Sequence, residues 1–148
     1  MSTPPFSSTS SSASTAVLVT SLRVWGILVL VFFLLTSAVG GSLALESSYL
    51  IVTLASHIGL ALVTLALAGY ATSFIGRFYK AMPRGFAGLS ALSALGATIA
   101  GTIFLVGGQS NSALYAMEGF AGIGILAALL MIVLGGQSGK RVSPSPLS

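Results

Sequence analysis

Long apolar stretches alternate with short polar ones along this chain, and their lengths decide what they are. Four runs each supply the roughly 20 apolar residues that a bilayer core requires of a helix. They are "VWGILVLVFFLLTSAVGGSLAL" from Val24 to Leu45, a second from Tyr49 to Ile75, "FAGLSALSALGATIAGTIFLVGG" from Phe86 to Gly108, and a fourth from Ala113 to Gly135. None has the alternating period, about ten residues to a segment, of an outer-membrane barrel strand. Glycine and alanine recur inside the runs. They would weaken a helix in water, but in lipid they let helix backbones approach closely. The pattern predicts an all-α membrane protein, a bundle of four transmembrane helices.

Composition narrows this further. Only 5% of the 148 residues are charged and 55% are hydrophobic, against about 25% charged in a soluble domain. Such a surface belongs in a lipid bilayer. The chain has no cysteine, which excludes disulfides, thiolate metal sites and a cysteine nucleophile. The basic residues sit in short segments beside the apolar runs, so they predict no nucleic-acid partner. They do give a direction. Arg23 precedes the first run, Arg77, Lys80 and Arg84 lie between the second and third, and Lys140 and Arg141 follow the fourth. The other two connections, around "ESSY" and "GGQSNS", have neither Lys nor Arg. Both termini and the middle connection are thus expected on the cytoplasmic side of the cell membrane, as an even number of spans requires.

The flanks and connections carry lesser expectations. Residues 1–21 are Ser/Thr/Pro-rich and residues 137–148 are short and basic, and both read as disordered tails around a 22–136 membrane domain. Arg23, the first run and "TSAVGG" also fit a signal peptide with a small-residue cleavage site, but the run is long for that role and cleavage would remove part of the repeat described next. "GRFYKAMPRGF" reads as an interfacial loop anchored by Phe78, Tyr79 and Phe86. "GGQS" occurs at Gly107–Ser110 and Gly135–Ser138, where glycine caps a helix end. Glu46 is expected as a solvated residue of the first connection.

A shift of 60 residues lays the chain on itself. Gly41–Leu45 then meets Gly101–Leu105, His57–Ala61 meets Met117–Ala121, Gly76 meets Gly136 and Lys80 meets Lys140. This predicts two tandem helical hairpins, about 22–80 and 82–140, related by a pseudo-two-fold axis along the membrane normal. His57, the only histidine, is the repeat partner of Met117. Spans two and four would bring an imidazole and a thioether to similar depth near the bundle axis. Helix bundles build cofactor sites from facing side chains, and His/Met is an axial set for haem iron. His57 and Met117 are therefore the candidate ligands of a haem b, with Ala55, Ser56, Gly59, Ala116 and Gly119 leaving room for a flat macrocycle. The competing expectation is structural: an intramembrane histidine hydrogen-bonding between helices, and a methionine filling a gap. Glu118 is the candidate proton carrier. It either faces inward to accept a hydrogen bond from His57 or snorkels to the near interface.

"VGGSLAL", a short connection and then "ASHIGLALVTLALA" resemble one half of haem A synthase. The resemblance covers about Arg23 to Gly136. That family has eight spans in two four-span halves, with four-span versions in some prokaryotes, and histidines near the outer ends of the second and fourth helices ligate haem. His57 matches the histidine of the second span. "AMEGFAG" matches the segment of the fourth-span histidine, with Met117 in its place, and Leu54 stands where the family's Glu-x-x-His glutamate would be. The resemblance implies haem handling or electron transfer for a respiratory oxidase, without the family's oxygenation chemistry. Two other functions remain open from the residues: a non-enzymatic membrane subunit or assembly factor, acting as a homo-oligomer or with a respiratory complex, and a small proton-coupled transporter. Four-span exporters usually carry an acid in the first span, and this one has none.

Overall fold

In lipid every backbone N–H and C=O must find its partner within the chain, so apolar runs of this length become helices. The computed structural model describes the backbone of residues 10–45, 51–79, 81–107 and 110–140, and the side chains of residues 20–43, 51–79, 81–107 and 110–135. It contains four helices: α1 (Ser10–Leu45), α2 (Ile51–Phe78), α3 (Ala81–Val106) and α4 (Asn111–Lys140). Each holds a stretch long and apolar enough to cross a membrane. Adjacent helices pack in a ring: α1 touches α2 and α4, and α3 touches α2 and α4, while the diagonal pairs stand apart. This is the up-down-up-down bundle that short connections produce.

Several boundaries differ from expectation. The segment expected as a disordered tail is helical from Ser10 onward, because a helix already nucleated in the apolar run extends at little cost per residue. For the same reason α4 runs through its "GGQS" to Lys140, so only the first copy, beginning at Gly107 just after α3, marks a helix end. The middle connection is far shorter than the expected loop. Phe78 closes α2 and α3 opens at Ala81, with Pro83 in the first turn, where a proline is tolerated. Phe86 accordingly packs against the core and not at an interfacial loop. Ser110 caps α4, its hydroxyl accepting from the Ala113 N–H at 3.3 Å. Glu46, Lys80, Arg141 and residues 1–9 lie outside the described residues.

The core fills the half of the bundle nearest the α2–α3 connection. Leu22, Val29 and Phe33 of α1 and Met131 of α4 pack with Ala68, Ala71 and Ile75 of α2, Ala87 and Ala94 of α3, and Ala128 of α4. Large side chains from α1 and α4 thus meet mainly small ones on α2 and α3, the close approach that association in lipid needs. Gly124 shows how close: a Cβ there would overlap the Phe33 ring. Hydroxyls add polar ties. Thr72 Oγ1 lies 2.8 Å from the Ala87 carbonyl across the α2–α3 interface, and Trp25 rests on Tyr70 and Phe74 between α1 and α2.

The repeat is visible in what is buried. Thr64, Ala68, Ala71 and Ile75 are the buried positions of α2. Their partners 60 residues on, Gly124, Ala128, Met131 and Gly135, are all buried in α4. Between α1 and α3 only Phe33 with Ser93 and Gly40 with Ala100 agree in this way. The reason is size: α3 meets Phe120 and Met117 of α4 through Gly96 and Gly101, and more of it comes close to α4 than α1 does to α2, where Trp25 rests on Tyr70.

Candidate functional site

At the opposite end of the bundle, toward the α1–α2 and α3–α4 connections, the packing opens. His57 lies six residues into α2 and Met117 six residues into α4, each about 9 Å along its helix at 1.5 Å per residue. Two adjoining cavities meet there, of about 100 Å³ and about 180 Å³. His57, Met117, Gly40, Ala61, Ala97, Thr98 and Leu114 line both. The diagonal helices α2 and α4 therefore present the imidazole and the thioether to one shared space.

Each hairpin seats its donor against a glycine of the preceding helix. The His57 ring lies on Gly40, where a Cβ would come within 2.7 Å of its Cε1. Met117 Sδ lies on Gly101, 3.4 Å from where a Cβ would stand. His57 Nδ1 is 3.1 Å from the Thr36 carbonyl oxygen. A carbonyl only accepts, so Nδ1 carries the proton and Nε2 of the neutral ring keeps its lone pair. Among the described residues Nε2 has no hydrogen-bond partner, and it is not a sealed polar atom. Fixing one ring nitrogen on a backbone carbonyl is also how metal-binding histidines are oriented.

The small residues expected to make room do not. Ala55, Ser56, Gly59, Ala116 and Gly119 are exposed, and none lines either cavity. Residues one or two positions from a helical ligand point 100–200° away from it, whereas those three or four away share its face. Ala61, Leu114 and Ala121 stand at those spacings and do line the space. Glu118 is exposed and lines the first cavity with Ser37 and Gly41, marking a mouth between α1 and α4. It accepts nothing from His57, whose bond goes to Thr36. Exposed Ile58, Leu62 and Leu105 line the second cavity and mark a mouth between α2 and α3. By the repeat, Ile58 is the partner of Glu118.

Thr36, Gly40, Thr64 and Thr98 were missed as site residues. Thr36 Oγ1 lies 2.9 Å from Thr64 Oγ1, tying α1 to α2 just beneath His57. The signal was present: Thr36 and Gly40 stand four apart in a lipid-facing run, hence on one helix face. Ala97 and Gly101 of α3 line the second cavity.

A haem can be tested against this space. The donors suit it, a neutral nitrogen and a thioether on facing helices. The volume does not: cavities for drug-sized ligands run to about 300–1,000 Å³, and the two here together stay below that range. A porphyrin does not fit between the helices as they stand. The chain matches no family model, no curated protein and no solved structure, so the resemblance to haem A synthase rests on the quoted residues alone.

Proposed function

We propose that this membrane protein binds a small, lipid-soluble molecule between its helices, in the joined cavities around His57 and Met117, entered from the plane of the bilayer. One observation carries the reading: His57, whose Nε2 keeps an uncommitted lone pair among the described residues, lines an apolar space that opens between helices long and apolar enough to cross a membrane. An unpartnered polar atom at the centre of an apolar pocket is how small-molecule sites fix orientation, and an ionisable residue within such a helix points to function before structure. We place the protein in the cell membrane with both termini and the α2–α3 connection in the cytoplasm. Arg23, Arg77 and Arg84, all exposed and all at one end of the bundle, support that direction.

The test is extraction of the protein purified in mild detergent, with mass spectrometry of what comes with it. Wild type is expected to carry a small apolar molecule that Ala97→Phe, which fills both cavities, fails to retain. The same molecules in equal amount from both proteins, each shown helical by circular dichroism, would overturn the reading. Ala61→Leu provides a second filling variant.

A haem protein is the second reading, favoured by the facing of His57 and Met117 on one space. It requires the helices to part at the two mouths. A Soret band in protein expressed with haem supplied, lost in His57→Ala, would establish it. A colourless preparation leaves the small-molecule reading alone.

A further inference from the structure

We propose that the ligand is a quinol: a six-membered ring bearing two hydroxyls and an apolar tail. This rests on the cavity reading above and adds the class of molecule that occupies it. The assignment comes from an account of donors and acceptors. The Thr36 and Thr64 hydroxyls share their two protons among the Phe32 carbonyl at 2.7 Å, the Leu60 carbonyl at 2.7 Å and each other at 2.9 Å, so neither has one left for a ligand, and Thr98 Oγ1 is committed to the Ala94 carbonyl at 2.8 Å. The imidazole proton is committed to the Thr36 carbonyl. What remains toward the space is His57 Nε2, which accepts, and at the mouth the Glu118 carboxylate, which accepts, with the Ser37 hydroxyl beside it. Acceptors at the centre and at one mouth select a ligand with two donors. A ligand offering only carbonyls would find one donor, the Ser37 hydroxyl at the mouth, and would leave His57 Nε2 and the Glu118 carboxylate without any, and unpaired polar groups in an apolar site are costly.

Size and shape select the rest. An apolar cavity of about 150 Å³ holds a benzene ring; the cavity lined by Glu118, about 100 Å³, is smaller than that, so a ring beside it extends past His57 into the adjoining one of about 180 Å³. The mouths are unlike. Ser37 and Glu118 make the α1–α4 mouth polar, while Ile58, Leu62 and Leu105 make the α2–α3 mouth apolar and open to lipid. The ring sits between His57 and Glu118, and the tail leaves past Ile58 and Leu62 into the bilayer. The repeat supplies the difference by placing an isoleucine where its partner position has a glutamate.

The experiment uses the full chain in phosphatidylcholine nanodiscs and three probes: decylhydroquinone, its oxidised quinone, and its dimethyl ether, which has no O–H. Saturable binding is read by equilibrium dialysis. The hydroquinone is expected to bind about five- to thirtyfold tighter than either of the others, the value of one to two net hydrogen bonds. His57→Phe is expected to bring the three affinities together, and Glu118→Leu to reduce the preference about threefold. Quinone or ether binding as tightly as the hydroquinone to wild type overturns the quinol assignment and leaves the cavity reading intact. No saturable binding of any probe, or binding indifferent to Ala97→Phe, overturns both. The wild-type comparison decides the assignment even where a variant fails to fold.

Discussion

Met131 and Met117 lie on one face of α4, 14 residues and so nearly four whole turns apart, yet their surroundings are opposite. Met131 is fully buried, part of the core cluster that includes Val29, Phe33 and Ala71. Met117 is half-buried and borders open space on two sides. The difference lies in how sizes are matched at each level of the bundle. Around Met131, large residues on α1 face alanines on α2 and α3, and the sum fills the interior. Around Met117, every helix contributes small residues at once: Gly40 from α1, Ala61 from α2, Ala97 and Gly101 from α3, Ala121 from α4. Small opposite small lets helices touch only if they can close, and here the space stays open between α1 and α4 and between α2 and α3. Phe33, seated on Gly124, forms the floor between the two levels.

The same truncation at the two methionines is the strongest way to break this contrast. Met131→Ala removes a side chain from a filled interior and is expected to cost about 2–5 kcal/mol, the usual range for such a cavity. Met117→Ala enlarges a space that already exists and is expected to cost less than about 1 kcal/mol, since few packed contacts are lost. Unfolding of the full chain in mixed micelles, followed by circular dichroism as the fraction of denaturing detergent rises, measures both. Equal losses would mean that the two levels are packed alike.

Enlargement gives the reverse test, with a smaller effect. Ala68 is fully buried between α2 and its neighbours, and Ala68→Leu is expected to cost about 1–3 kcal/mol through overpacking. Ala97 is half-buried beside both cavities, so Ala97→Leu has room to turn into and is expected to leave stability within about 0.5 kcal/mol of wild type. A thermal melt in the same detergent reads both. A destabilised Ala97→Leu would show the space to be narrower than its lining implies.

The sequence made the filled level more legible than the open one. Four apolar runs of bilayer length determine four helices almost unaided, because lipid leaves the backbone no other way to satisfy itself. The 60-residue shift located the buried face of α4 from that of α2, as Thr64 and Gly124, Ala68 and Ala128 attest. It failed between α1 and α3, where residue size and not repeat position sets which side chain reaches the core. His57 stood out as the single imidazole, and Met117 through the repeat. Their surroundings did not, because the neighbours chosen from the sequence were adjacent in number and therefore on other faces of the helix. The spacing of Thr36 from Gly40 put it on the right face but did not show its role: its carbonyl, not its side chain, holds the imidazole, and no residue type announces a backbone acceptor.

The seam between the levels gives the finest test. Thr36 and Thr64 join their hydroxyls at 2.9 Å across the α1–α2 interface, while Thr64 Oγ1 also reaches the Leu60 carbonyl of its own helix at 2.7 Å. Since Thr64 keeps that second partner, little is stranded when Thr36 is replaced by the isosteric valine. Interhelical hydrogen bonds in membranes average about 0.6 kcal/mol, and Thr36→Val and Thr64→Val are each expected to lose about that amount. In a double-mutant cycle the pair is expected to lose less than the sum, because one bond joins them. Additive losses in the cycle would show that the hydroxyls act separately on their own helices. The imidazole above them would then be held in place by the Thr36 carbonyl and Gly40 without help from the side chains beneath.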